Sequence, residues 1–464
     1  MNHFRSVVIV ALVLAFSGVR VGIAQEAETE TETNKGPLGL ELTSGSLVTG
    51  TILDEAIGNG ELSGEAGVYF EGTSISDGAP ISWVYGNGMW DDYSFGTGYI
   101  EMAFESAAVN GLQFGIGGIA VNQLWWDHDN LFTGEEDYSS RYTEDAALNK
   151  AYLKYTFPET ESSITIGRKE FKKSVCMEGD FHQGVEIAVK DVEMVDIYLS
   201  AIEKWANESG PDEITHEVEM EERRGRGNWG WSLIADIAVD NLSVTPFCHL
   251  HRGSVLSGGM SAEGVLEMDE KLSVSFDGAV SWHEEKTEDD PGTNWAEISD
   301  ENDEDWHQYL LRCKVKMDKF TVAAGYYKVS DDKDRSNPAL TKWGNKVGFT
   351  DAASPGELFQ EDFCPLEEIG FWGDTGTAFL EMGYDLGGVG ISAIYGIAHD
   401  NNDSGTLNIP TGDVDSDAEE IDLRLDANLT DRISFDVLWA RINFEEDDHN
   451  DDYDYWEGGL SVSF

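Results

Sequence analysis

A row of basic side chains at every second position is the feature of this sequence with the clearest chemical meaning. Arg312, Lys314 and Lys316 alternate with apolar residues in the run from Trp306 to Met317. Successive side chains of a β-strand point to opposite faces, so a strand here would present the three cations on one face. Rows of charged side chains set ion selectivity in pores. The row could equally neutralise carboxylates on neighbouring strands, and the sequence leaves both interpretations open.

Other segments repeat this arrangement with fewer cations. Lys150 and Lys154 share one face of a predicted strand, and Lys190 and Arg424 lie on the polar faces of two others. Several carboxylates would face these cations from polar strand faces: Glu101, Glu186, Asp236, Asp277, Glu381, Asp422 and Asp436. We predict that these cations and acids line one common polar surface.

The usual signatures of catalysis are absent from the sequence, which contains no G-x-S-x-G, H-E-x-x-H or P-loop motif. We therefore predict that the protein is not an enzyme and has no catalytic residue. Asp413, Asp415 and Asp417 begin like a calcium loop, but Ala418 stands where that loop needs glycine. No cofactor or specific metal site is predicted, although Ca²⁺ or Mg²⁺ could bind weakly to acidic loops at 285–304, 400–417 and 445–452.

The elements that would position these residues are strand-like runs joined alternately by short and long connections. The short connections lie at 107–110, 158–159, 191–192, 240–241, 269–270, 318, 387–388 and 430–431. The long ones lie near 73–94, 122–147, 169–183, 205–228, 285–304, 330–373, 400–417 and 445–452, with a shorter one near 252–256. This alternation predicts an all-β fold: a transmembrane antiparallel β-barrel of about 18 strands, with short periplasmic turns and long external loops.

The predicted strands have one apolar and one polar face. From Lys271 to His283, Leu, Val, Phe and Trp alternate with Ser, Asp and His. In a soluble β-sandwich the apolar face would be the core, whereas in a large barrel it faces lipid and the polar face lines water. Downstream of the N-terminus no run approaches the roughly 18 apolar residues of a transmembrane helix. A membrane-spanning form must therefore be a closed barrel.

The beginning of the chain predicts export. Arg5 precedes an apolar run, and small residues before Ala24 suit a signal-peptide cleavage site. We predict a signal peptide at 1–24, an acidic disordered leader at 25–37, a periplasmic lead-in at 38–64 and the barrel at 65–464. The expected location after cleavage is the outer membrane of a Gram-negative-type bacterium.

The last predicted strand runs from Tyr453 to Phe464 and is apolar on one face only. Its terminal aromatic residue resembles the C-terminal signature of bacterial outer-membrane barrel proteins. That resemblance implies that this strand closes the barrel and that Phe464 is the membrane insertion signal. The barrel-assembly machinery and outer-membrane lipid are then the expected partners.

The chain is strongly acidic, with 30 Lys and Arg against 89 Asp and Glu and a formal charge of −59. Such a charge makes nucleic acid and anionic membrane surfaces poor partners. Two interpretations stay open. The acids could concentrate cations at external loops, or they could reflect a salty habitat in which acidic surfaces are common.

Three segments resemble the OprD-like outer-membrane porins: Leu148 to Lys169, Gly179 to Asp191 and, more faintly, Gly96 to Ser106. The resemblance implies an eighteen-stranded barrel for passive uptake of small hydrophilic solutes, narrowed by external loops three and seven. It also implies a basic ladder in the lumen, here Lys150, Lys154, Arg168, Lys190, Arg312, Lys314 and Lys316. General porins often form trimers, so a homotrimer is a further expectation. This sequence departs from the family in its many lumen acids.

The resemblance also suggests a role for two of the four cysteines. Loops 169–183 and 330–373 are the third and seventh in this sequence, and Cys176 and Cys364 lie in them. We hypothesise a Cys176–Cys364 disulfide that ties the two loops together, the alternative being two free thiols. Disulfides are permitted in exported proteins.

The function expected from these patterns is an outer-membrane channel for passive diffusion of small hydrophilic solutes or ions. Two alternatives stay open at this point. The first is a secreted soluble β-sandwich that binds carbohydrate or calcium. The second is a barrel plugged by its own loops that serves as a structural or adhesive surface protein.

Overall fold

The computed structural model of the protein describes residues 55–75, 93–128, 145–175, 181–206, 218–219, 230–251, 255–269, 271–285, 305–331, 375–400, 417–446 and 449–464. The predicted signal peptide and leader, and most of the lead-in, lie outside these residues. A helical turn at 55–58 precedes the first strand. Within the described ranges no helix is long and apolar enough to cross a membrane.

The described residues form 19 strands of one antiparallel sheet. Their bounds are β1 (Glu61–Ile75), β2 (Tyr93–Glu105), β3 (Leu112–His128), β4 (Asp145–Thr156), β5 (Ser163–Lys169), β6 (Phe181–Val192), β7 (Val195–Ala206), β8 (Val218–Glu219), β9 (Gly230–Val239), β10 (Leu242–His251), β11 (Val255–Asp269), β12 (Leu272–Glu285), β13 (Asp305–Met317), β14 (Phe320–Asp331), β15 (Thr375–Asp385), β16 (Val389–Asp400), β17 (Asp417–Asn428), β18 (Ile433–Glu446) and β19 (His449–Ser463).

The sheet closes on itself. β1 pairs with β2 on one side and with β19 on the other, so the first and last strands are neighbours. The short β8 pairs only with the end of β7, and β7 also pairs directly with β9. Without β8 the closed ring has 18 strands (19 − 1). This confirms the predicted fold and rules out the β-sandwich alternative.

Seven of the eight short connections lie where the sequence predicts them, between strands that are consecutive in the chain. The connection predicted at 191–192 lies instead at 193–194, because β6 continues to Val192 and β7 begins at Val195. Three of the short connections contain Asn110, Asp240 and Asp318 with positive φ values of 51°, 51° and 55°. This backbone conformation is uncommon outside glycine, and Asn and Asp are enriched in it. The turn residues thus explain why these connections are tight.

Several predicted boundaries differ from the structure, two of them at the ends of the barrel sequence. β1 begins at Glu61, slightly before the predicted start of the barrel at 65. The loop predicted at 445–452 is wrong in extent, because β18 continues to Glu446 and β19 begins at His449. Both strands are polar where they are paired there, as in Glu445 opposite Asn450. Strands that continue beyond the lipid layer need no apolar face, so polarity alone suggested a loop.

The two faces of the wall differ as predicted. Outward side chains such as Leu311 are largely exposed and apolar, whereas inward ones such as Ser281 and Gln308 are polar and buried. Exposed aromatic residues on the outer face include Trp125, Trp231, Trp282, Tyr326 and Tyr384. An outward apolar band with interfacial aromatic residues is typical of transmembrane barrels.

Glycines opposite aromatic residues shape the seam between β1 and β19. Gly72 lies opposite Trp456, and a Cβ on this glycine would come within 2.5 Å of the indole ring. The ring of Phe464 covers Gly64 in the same way. The backbones of these two residues also bond reciprocally, with N–O distances of 3.0 and 2.9 Å. The packing of aromatic rings on glycines therefore fixes the pairing of β1 with β19, together with the backbone hydrogen bonds.

Candidate functional site

The inner face of β13 carries the predicted row of cations, and two of the three are paired. Arg312 Nε lies 2.8 Å from Asp277 Oδ2 on β12. Lys314 Nζ lies 3.8 Å from Glu381 Oε1 on β15. Lys316 forms no ion pair with a carboxylate in the part of the chain that the structure describes. The row therefore combines neutralised cations with an unpaired one.

A second basic wall lies on β4 to β6. Lys150 and Lys154 share the inner face of β4 and have no ion-pair partner among the described carboxylates. Lys190 on β6 is paired, with its Nζ 3.2 Å from Asp196 Oδ2 on β7. The wall on β4 to β6 therefore also contains both paired and unpaired cations.

Arg168 reaches the inner face of β5 because the strand is irregular before it. Thr165 and Arg168 are both buried on this strand, although three positions separate them and regular alternation would put them on opposite faces. Gly167 between them has a φ of 123°, a conformation that side chains with a Cβ rarely adopt. The glycine therefore turns the guanidinium of Arg168 inward.

The predicted acids on other strands are also on the inner side, and several have partners. Asn149 Nδ2 donates to Glu101 Oε1 at 2.9 Å. Arg424 Nε donates to Asp426 Oδ1 at 2.9 Å, and Asp422 on the same strand is buried. Their contribution to conduction stays a prediction.

Tyrosine hydroxyls hold a row of carboxylates on the wall formed by β19, β1 and β2. Tyr99 donates to Glu65 at 2.6 Å. Tyr69 and Tyr455 donate to the same oxygen of Glu457, at 3.0 and 2.9 Å. A phenol donates a hydrogen bond but carries no positive charge. These contacts orient the carboxylates without cancelling their charge, so this wall carries a row of acidic groups held by neutral donors.

Residues 170–175, which follow β5, lie against the inner wall, and we call them the inner strap. At its start, Phe171 stacks on His182 of β6 with ring centroids 5.8 Å apart. The backbone N–H of Phe171 donates to His182 Nδ1 at 3.4 Å. Near its end, Ser174 Oγ lies 2.6 Å from His249 Nε2 of β10. The strap is thus attached to β6 and β10.

The middle of the inner strap is held by charged groups. Lys172 Nζ lies 2.7 Å from Asp236 Oδ2 on β9. The backbone N–H of Lys172 donates to Glu186 Oε2 on β6 at 2.7 Å. Glu186 and Asp236, both predicted to line the polar surface, therefore bind the strap.

The inner strap covers several neighbouring strands and so reduces the open width of the lumen. From β6 to β10 there are three strand spacings, or about 14 Å. Phe171 and Ser174 are three residues apart and span about 10 Å when extended, so the side chains at the two contacts bridge the remaining distance. Val175 packs against Ile234 and Phe247, an apolar pair on the inner wall. Part of the wall is therefore closed to water by the strap.

Sequence reasoning missed the residues that fasten the strap: Phe171, Lys172, Ser174, His182, Tyr198 and His249. The segment was assigned to the third loop because of its polarity. One signal was available, since β5 is a strand of only 7 residues and an aromatic residue follows it closely. A strand that ends early indicates that the chain leaves the wall below the rim.

Metal and disulfide predictions are only partly covered by the structure. Within the described ranges, no group of three or more His, Cys, Asp or Glu side chains is placed to hold a metal ion. Cys248 and Cys313 are free and exposed on the outer face. Cys176 and Cys364 lie outside the described residues, so their disulfide stays a prediction.

Known proteins resemble this chain in structure but not closely in sequence. No protein-family model and no curated protein matches it. The crystal structure of Acinetobacter baumannii OccAB1 matches with a TM-score of 0.64 at 12% identity, over 88% of this chain and 97% of that one. The crystal structure of Pseudomonas aeruginosa OccK9 (OpdG) matches with a TM-score of 0.63 at 12% identity, over 88% of this chain and 100% of that one. The crystal structure of Pseudomonas aeruginosa OccK3 (OpdO) matches with a TM-score of 0.60 at 14% identity, over 89% of this chain and 98% of that one.

The likeness extends over most of the chain, and OprD of Pseudomonas aeruginosa is among the matching structures, with a TM-score of 0.58 at 13% identity. This confirms the resemblance predicted from the sequence at the level of the fold. A closed barrel with an apolar outer band places the protein in the outer membrane of a Gram-negative-type bacterium. The chain therefore has the 18-strand barrel fold of the OprD/Occ outer-membrane porins.

Proposed function

We propose that the barrel is a water-filled channel through which small hydrophilic solutes or ions diffuse passively across the outer membrane. The observation that carries the proposal is an inner wall with charges of both signs inside an outwardly apolar, closed barrel. In this channel Lys150, Lys154 and Lys316 act on passing ions because none of them forms an ion pair with a described carboxylate.

The other lining residues have supporting roles in this proposal. Paired cations and their acids shape the wall and keep it polar: Arg312 with Asp277, Lys314 with Glu381, Lys190 with Asp196, and Arg424 with Asp426. Arg168, Glu101 and Asp422 complete the predicted lining. The inner strap narrows the lumen, and acidic external loops concentrate cations near the entrance.

Assembly and partners follow from the same proposal. Lipid surrounds the outer face, and the barrel-assembly machinery inserts the protein through the strand that ends at Phe464. The contacts between Phe464 and Gly64 support a role of this residue in closing the barrel. A homotrimer, the absence of catalysis and the absence of a cofactor remain parts of the proposal. Non-reducing peptide mapping tests the Cys176–Cys364 bond.

Liposome swelling tests the channel directly. Liposomes that contain refolded protein are placed in isotonic solutions of sugars of increasing size, and swelling is followed by light scattering. We expect fast swelling with a pentose and progressively slower swelling with larger sugars, because the lumen admits solutes by size. Protein-free liposomes are the control. No swelling from protein that is folded by β-rich circular dichroism would favour the loop-plugged barrel.

A further inference from the structure

The attachments of the inner strap differ in their access to water. Phe171 and Ser174 are buried, and so are the two histidines that they contact. By contrast, the side chains of Lys172 and Asp236 are 36% and 26% exposed. Ion pairs that are in contact with water are weakened by salt, whereas buried contacts are screened much less. The middle of the strap is therefore its adjustable part.

A hydrogen bond from a neighbouring strand orients the Asp236 carboxylate toward Lys172. Thr245 Oγ1 on β10 donates to its other carboxylate oxygen at 2.9 Å. Backbone pairing between β9 and β10 is interrupted at this height, around Pro246, which has no N–H to donate. The hydrogen bond from Thr245 joins the two strands where the backbone does not. It also fixes the orientation of the carboxylate toward the strap.

A second lysine opposes Lys172. The Nζ atoms of Lys172 and Lys190 lie 5.6 and 5.7 Å from the centroid of the same ring, that of Tyr198. Asp196 balances Lys190, and Asp236 balances Lys172. If Asp236 lost its charge, Lys172 would face a neighbouring cation without its own counter-ion. Like charges so placed repel each other, and the middle of the strap would move away from the wall.

Open space adjoins the acidic partner of the Lys172–Asp236 pair. A cavity of about 450 Å³ lies at the periplasmic end of β6, β7 and β9, and Lys190, Asp196 and Asp236 are among the residues that line it. The cavity therefore reaches Asp236, the acidic partner of Lys172, and also both members of the Lys190–Asp196 pair.

From this arrangement we infer that Asp236 is the positioning residue of the inner strap and that the Lys172–Asp236 pair sets the size limit of the channel. This inference rests on the proposed channel function. With the pair formed, the strap lies on the wall and one conductance level dominates. With the pair broken, the middle of the strap is displaced and a second level, with a different size limit, is populated.

Single-channel recording with neutral polyethylene glycols of graded size tests this inference. Asp236→Asn and Lys172→Gln each remove one charge from the pair. We expect both to increase the occupancy of the second conductance level about fivefold and to shift the polymer cut-off, because a partly exposed pair contributes about 1 kcal/mol. Exchange of the charges in Lys172→Asp with Asp236→Lys is expected to restore the wild-type cut-off.

Salt provides a second readout of the same pair. Raising KCl from about 0.1 M to about 1 M shortens the Debye length from about 10 Å to about 3 Å. In the wild type the second level should become more populated as salt increases. In Asp236→Asn this increase should be absent, because the pair is already broken and the remaining repulsion between Lys172 and Lys190 is itself weakened by salt.

The Arg312–Asp277 pair is a matched control, since its N–O distance of 2.8 Å is similar and it lies away from the strap. Asp277→Asn should change ion selectivity and leave the polymer cut-off unchanged. Conducting Asp236→Asn channels with a wild-type cut-off and wild-type salt dependence would overturn the inference. A Lys172→Asp with Asp236→Lys double variant whose polymer cut-off matches that of the single variants would also overturn the inference. Wild-type protein that does not conduct at all would contradict the channel function itself.

Discussion

Gly72→Val is expected to remove most of the closed, heat-resistant form of the barrel. The glycine on β1 lies opposite Trp456 on β19, and a Cβ would come within 2.5 Å of the indole ring. A valine must therefore push the ring out of the seam between the first and last strands. Overpacking of this kind costs about 1–3 kcal/mol.

The seam should be more sensitive than other strand pairs because no turn joins β1 to β19. Its contacts must offset the entropy of closing nearly the whole chain into a ring. Gly258 on β11 is a matched control, since it lies opposite Trp282 on β12 and its Cβ would come within 2.6 Å of that ring. Gly258→Val should destabilise the barrel to a similar extent but leave it closed.

Electrophoretic mobility before and after heating measures the closed form of each variant. Trp456→Ala in the Gly72→Val background should restore part of the heat-resistant band, because the smaller side chain makes room for the valine. A Gly72→Val barrel as heat-resistant as the wild type would show that the seam is not fixed by this contact. If the double variant does not recover the heat-resistant band, backbone strain rather than contact with the Trp456 ring would explain the effect of Gly72→Val.

Replacing the three unpaired lysines by glutamine is expected to make the channel more cation-selective. A charge about 4 Å from an ion in water changes the energy of that ion by about 1 kcal/mol. An energy of this size corresponds to about a fivefold change in the local concentration of each ion, in opposite directions for cations and anions. The Lys150, Lys154 and Lys316 triple variant should therefore raise the permeability ratio of K⁺ to Cl⁻ by at least about fivefold.

The reversal potential in a KCl gradient measures this ratio. Lys271→Gln is the control, because Lys271 lies at the turn between β11 and β12 and is exposed beside Asp318. The control should keep the wild-type reversal potential. A triple variant with an unchanged potential, or one shifted toward anions, would show that these lysines do not act on passing ions.

The strand pattern and its turns could be predicted because they depend on local sequence. Alternating polarity identifies a strand and its two faces, as on β13, where Arg312 and Lys316 point inward. Tight turns are indicated by residues such as Asp318 that tolerate a positive φ. The ion pair of Arg312 with Asp277 follows from direct opposition of these residues on adjacent strands. Contacts of this kind can be predicted once the register of the two strands is known.

The resemblance implies that loop three narrows the lumen, but the attachments of the inner strap could not be predicted, because they join residues that are distant in the sequence. Ser174 and His249 are 75 positions apart, and nothing near either residue indicates the other. The polar ends of β18 and β19 also have the composition of a loop. These features depend on the closed barrel rather than on any single segment.

Conductance is the most direct test of the proposed channel. Purified, detergent-refolded protein is added to a planar lipid bilayer under a KCl gradient, and its folding is verified by β-rich circular dichroism. We expect discrete conductance steps, with a reversal potential that reports the balance between the acidic wall and the unpaired lysines. A bilayer that stays silent with folded protein would contradict the open channel and support a barrel plugged by its own loops.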